Sequence, residues 1–95
     1  MKEQTILEIV IDVLSGLFLV SITRDRNISK KEAKKIISNP AANLTDDLGI
    51  DSLGRMELIL DLEDAFGEEI PDQEIANFRT VWDIANFFEP KTYHA

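Results

Sequence analysis

From Ile6 to Ile22 the chain is apolar almost without interruption, and the interruptions keep helical spacing. Ile6, Val10, Val13, Leu14 and Leu17 fall on one side of a helix, while Glu8, Asp12 and Ser15 mark a more polar side. Leu7, Ile11, Phe18 and Leu19 widen the apolar stripe until one neighbour cannot cover it. A helix of this kind needs several other elements packed around it, and the rest of the chain offers helices. Two charges within the run make a membrane span costly, and no small-residue cleavage site follows. The segment reads as a buried helix over about Glu3 to Ser21, in which Gly16 lowers the propensity without ending it.

The remaining elements follow from local signals. Thr23-Arg24-Asp25-Arg26-Asn27 reads as a polar turn. Ser29 and Glu32 have the spacing of a capping box for a short basic helix, Lys30 to about Ser38, that stops before Pro40. Its Lys30, Lys31, Lys34 and Lys35 are most simply a solvated face, with Ile36 and Ile37 against the core. Ala41 to Ile50 is a loop. A helix then starts at Asp51 or Ser52 and runs to about Phe66, with Gly67 as a C-terminal stop. Pro71 opens a short helical turn through about Asn77. Thr80 and Asp83 cap a last helix, Val81 to Phe88, and Lys91 to Ala95 reads as a frayed tail. With 95 residues, 44% of them hydrophobic, this is one all-α domain with a long, partly ordered connection.

Charge narrows the function. The net charge is −8, and it is lopsided: residues 1–40 carry net +2 and residues 41–95 net −10. An acidic half argues against nucleic acid, whose phosphates need Lys and Arg, and for partners with basic surfaces. There is no cysteine, so neither disulfides nor thiolate metal sites are open to the chain.

The helix after Ser52 has two apolar stripes. Leu58, Ile59, Leu62 and Phe66 form one and suit the core. Leu53, Met56 and Leu60 form another on the roughly opposite side, rimmed by Glu57, Glu63 and Asp64. Either the basic helix covers this second stripe, or it is a docking surface with apolar anchors in an acidic rim.

Ser52 has no equipment for catalysis. His94 is the only histidine and lies in the tail. No Gly-x-Ser-x-Gly turn or Ser-x-x-Lys pair is present, and Asp46, Asp47 and Asp51 read as an acidic loop before a catalytic cluster. One histidine with scattered acids makes no metal site. Ser52 or Asp51 can cap the helix. A serine in the first turn can also hold a phosphodiester, since the N–H groups and the positive dipole end there favour phosphate. Asp51 can cap while Ser52 points outward.

Asp47-Leu48-Gly49-Ile50-Asp51-Ser52-Leu53, then Met56-Glu57-Leu58, Leu62-Glu63, Phe66-Gly67, Ile70-Pro71-Asp72 and Thr80-Val81-Trp82-Asp83-Ile84, resembles the acyl carrier proteins from about Asp46 to Phe88. The resemblance implies a small four-helix acyl-carrier-like bundle, here with an extra short helix in its long first connection. It implies 4′-phosphopantetheine on Ser52, with Asp51 beside it, transferred from coenzyme A by a phosphopantetheinyl transferase. It assigns Leu53, Met56, Glu57, Leu60, Glu63 and Asp64 to the partner interface, and Leu62, Ile70, Ile75 and Phe78 to an acyl-chain pocket. It implies a cytoplasmic monomer, not itself an enzyme, that presents thioesters to acyl-transferring, ligase or synthase enzymes of fatty-acid or specialised lipid or polyketide synthesis. An aminoacyl carrier of the D-alanyl or peptidyl type is the nearest alternative, and a non-carrying acidic helical interaction module the next. Gly54 and Arg55 depart from the family, which frequently places an acidic or polar pair there. Residues 1–40 match only in general character.

Overall fold

The computed structural model describes residues 5–89 and holds five helices: α1 (Ile6–Arg26), α2 (Lys30–Ile37), α3 (Ser52–Phe66), α4 (Asp72–Asn77) and α5 (Val81–Phe88). Among the described residues there is no strand, and a single antiparallel bridge joins Asn43 to Thr80. The expected tail, including His94, lies outside the described residues.

α1 is the hub against which α2, α3 and α5 pack. It is long and apolar enough to cross a membrane by length and composition. Here Val10, Leu14, Phe18 and Ile22, four residues apart, instead fill the bundle core. Thr5 and Glu8 start the helix with a reciprocal capping box. Thr5 N–H donates to Glu8 Oε1 at 2.8 Å and Glu8 N–H to Thr5 Oγ1 at 3.1 Å.

The end of α1 corrects the sequence reading. The helix continues through Thr23-Arg24-Asp25-Arg26, which reads as a turn, and stops at Asn27 in the left-handed region with φ 54°. Three causes act together. Ile22 extends the buried stripe. The Thr23 hydroxyl donates back to the Leu19 carbonyl at 2.7 Å. Arg24 and Arg26 put positive charge at the negative end of the helix dipole. Ile28 N–H then closes the end on the Thr23 carbonyl at 3.2 Å.

α2 lays Ala33 and Ile37 against the core and leaves Lys30, Lys31, Lys34 and Lys35 exposed. The connection from α2 to α3 is irregular yet firmly held. Ala42, Leu44, Leu48 and Ile50 are buried. The Asn43 side-chain oxygen accepts from the N–H groups of Thr45 and Asp46 at 2.9 and 2.8 Å. Its first half is clamped to the start of α5: Leu44 N–H donates to the Arg79 carbonyl at 2.8 Å, Val81 N–H to the Ala42 carbonyl at 3.1 Å, and Trp82 N–H to the Pro40 carbonyl at 2.8 Å. These bonds satisfy backbone groups that buried loop residues would otherwise strand. At the far side, Phe66 and Phe88 stack with ring centroids 3.9 Å apart and tie α3 to α5.

Candidate functional site

The turn into α3 is built from three consecutive residues with different jobs. Gly49 sits at φ 68°, a conformation that a side chain disfavours. Ile50 drops into the core. Asp51, extended at φ −91° and ψ −174°, caps the helix: its Oδ1 accepts from Gly54 N–H at 2.8 Å and its carbonyl from Arg55 N–H at 2.8 Å. Ser52 is the first helical residue and is exposed. The capping is therefore done by Asp51, and the Ser52 hydroxyl stands free for another task at the positive end of a 15-residue helix.

The helix presents the two stripes expected of it. Leu58, Ile59 and Leu62 are buried and Phe66 is half-buried. Leu53, Met56 and Leu60 are 69%, 64% and 63% exposed, so α2 leaves this stripe uncovered. Glu57 and Asp64 are exposed beside it, as is Asp61. Glu63 has a second commitment: it is half-buried, and its Oε2 accepts from Ile70 N–H at 2.8 Å. That bond anchors the chain just where it leaves α3 for α4.

A cleft of about 360 Å³ opens next to Ser52, lined by Ser52, Arg55, Met56, Ile59, Leu60 and Ile75. Five of these residues lie on α3, where its buried stripe at Ile59 borders its exposed stripe at Met56 and Leu60. Of the four residues assigned to an acyl-chain pocket, Ile75 lines this cleft. Leu62, Ile70 and Phe78 are buried in the core. The cleft walls are apolar apart from Ser52 itself and Arg55, so the space suits an apolar group. Among the described residues no group of carboxylates and histidines could hold a metal ion.

Arg55, which the sequence marks only as a departure from the family pattern, makes contacts that the sequence does not disclose. Its Nη2 donates to the Ile75 carbonyl at 2.9 Å and also to the Phe78 carbonyl. Nothing in the local sequence announces a bond to backbone 20 residues away.

Comparison with known proteins places this geometry. The family model described as a phosphopantetheine attachment site matches residues 27–88, a stretch that begins before α2 and ends with α5. The acyl carrier protein of Micrococcus luteus is 44% identical over 78 residues, covering 82% of this chain and 89% of the relative. That of Myxococcus xanthus is 46% identical over 76 residues, covering 80% and 89%. That of Syntrophobacter fumaroxidans is 51% identical over 53 residues, covering 56% and 65%.

Proposed function

We infer the role of Ser52 from the family: this chain belongs to the acyl carrier proteins, and Ser52 is the serine that bears the 4′-phosphopantetheine arm. The chain is a carrier and not an enzyme, and its cofactor is covalent 4′-phosphopantetheine. The observation that carries the Ser52 assignment is the division of labour at the start of α3, where Asp51 takes the cap and leaves the hydroxyl exposed. The arm supplies the thiol that a cysteine-free chain lacks, and cargo rides on it as a thioester. The α3 N-terminus accommodates the phosphodiester, because the first N–H groups of a helix have no carbonyl partner within it. A carried acyl chain finds an apolar resting place in the cleft beside Met56, Ile59, Leu60 and Ile75.

The exposed stripe of α3 is the docking surface for the transferase and for enzymes that act on the cargo. Leu53, Met56 and Leu60 supply apolar anchors, and Glu57 and Asp64, with Glu63 partly withdrawn, supply the acidic rim. The charge of the C-terminal half steers basic partner surfaces toward it. Fatty-acid or polyketide synthesis, in the cytoplasm, is the setting this chemistry suits.

Incubation with coenzyme A and a broad-specificity phosphopantetheinyl transferase should add the mass of one phosphopantetheine; no gain would end the proposal. A variant with Leu53, Met56 and Leu60 all changed to Ser tests docking. Its stability should fall by no more than about 1.5 kcal/mol, because exposed positions contribute within about 0.5 kcal/mol each and serine is a poorer helix former than leucine or methionine, and circular dichroism should show the helices intact. Its loading kcat/KM should fall about tenfold or more, as expected when apolar hot spots are removed. Unchanged loading kinetics would place the transferase on another face.

A further inference from the structure

α4 is weakly built. It has six residues, none of them buried, and its N-cap Pro71 makes no side-chain hydrogen bond. The residues that anchor it, Ile70 and Phe78, are buried just outside its two ends. A helix C-terminus needs partners for its last carbonyls. Here a neighbouring helix provides one: the half-buried Arg55 guanidinium of α3 bridges the carbonyls of Ile75 and Phe78. Arg55 also lines the cleft next to Ser52, and Ile75 forms the cleft wall on the α4 side. Ile59, at the cleft, is one helical turn from Leu62, which is wholly buried. A chain in the cleft thus lies next to the core, with α3 on one side and Ile75 of α4 on the other.

We propose that Arg55 is a latch on this cleft: by tying α3 to the end of α4, it confines a chain carried on Ser52 to the surface cleft and bars it from the core at Leu62, Ile70 and Phe78. The proposal rests on the reading of Ser52 as the attachment residue. It makes Arg55 a specificity-determining residue that favours short acyl chains. The cleft's 360 Å³ lies near the low end of ligand-pocket volumes. Entry of a longer chain requires α4 to swing away, and that breaks both bonds to a charged donor, among the stronger hydrogen bonds a protein makes.

The test loads the full chain with butyryl-, octanoyl- or palmitoyl-phosphopantetheine and follows side-chain methyl resonances. In the unaltered protein, octanoyl loading should shift Met56, Ile59 and Ile75 and leave Leu62 and Ile70 in place. Arg55→Met keeps the aliphatic stem and removes both donations. It should extend the shifts to Leu62 and Ile70 and slow hydroxylamine cleavage of the palmitoyl thioester about tenfold, the factor equivalent to about 1.4 kcal/mol in the opening of α4. Arg55→Lys, which keeps a donor without the planar fork, should fall between them, and it decides the question if Arg55→Met loses its helical circular dichroism. The latch is overturned if octanoyl already shifts Leu62 and Ile70 in the unaltered protein. It is also overturned if both variants match that protein in shifts and cleavage rate. Failure of the Ser52 reading shows separately and earlier, as a missing mass gain before any acyl chain is compared.

Discussion

Ser52→Ala should abolish the gain of phosphopantetheine on incubation with coenzyme A and transferase, and leave the fold as stable as before. The two halves of this result have separate causes. Loading needs an oxygen nucleophile: the Ser52 hydroxyl forms a bond to phosphorus as the pyrophosphate bond of coenzyme A breaks, and a methyl group cannot. Stability does not need the hydroxyl, because the cap on α3 is the Asp51 carboxylate on Gly54 N–H. The exposed first-turn position of Ser52 tolerates alanine, a better helix former. Asp51→Ala should behave in the opposite way, costing about 0.5–2 kcal/mol of stability by losing the cap while the serine remains available. Intact mass and thermal melts of the two variants read both outcomes. Residual loading of Ser52→Ala would move the attachment site elsewhere, and a stability loss larger than that of Asp51→Ala would make Ser52 a structural residue. Retained partner binding and cellular function in Ser52→Ala would favour the non-carrying module.

What the sequence discloses depends on how local the cause is. The bounds of α3 are legible because Asp51, Gly67 and the two stripes all lie within the helix or at its ends, and the structure keeps each of them. The box at Thr80 and Asp83 is legible for the same reason; at Ser29 the hydroxyl accepts from Glu32 N–H, but the Glu32 side chain does not return the bond, so only half of the expected box forms. The end of α1 is not, because a polar run reads as a turn unless one knows that Ile22 finds a place in the core. That knowledge belongs to tertiary packing. Burial of the second α3 stripe is likewise undecided in sequence, since a basic helix could have covered it. Only the docking of α2 on α1 settles that Leu53, Met56 and Leu60 stay exposed. Arg55 is the furthest from legible. Its partners are main-chain carbonyls, which have no sequence signature, and a cation inside an acidic helix reads as an anomaly.

Gly54, the other departure from the family pattern, acquires a physical reason of the same kind. It is buried where α3 meets α1. A Cβ there would stand 3.1 Å from Cε1 of Phe18, 3.2 Å from Cγ2 of Ile50 and 3.3 Å from the Asp51 Oδ1 that makes the cap. Two of these neighbours are themselves buried and have little room to yield. Gly54→Ala sets these tight contacts against the roughly 1 kcal/mol that alanine gains over glycine within a helix, so its stability should stay within about 1 kcal/mol of the parent. Gly54→Leu brings the same contacts and a side chain with nowhere to go. Overpacking should cost about 1–3 kcal/mol, and displacing the Asp51 carboxylate about 1 more. For a domain of this size each kcal/mol lowers Tm by about 4–8 °C, so a melt separates the two variants easily. A Gly54→Leu protein as stable as the parent would mean that α1 can retreat from α3 freely. The position of Ser52, which depends on Ile50 in the core and Asp51 on the cap, would then owe nothing to the closeness of these two helices.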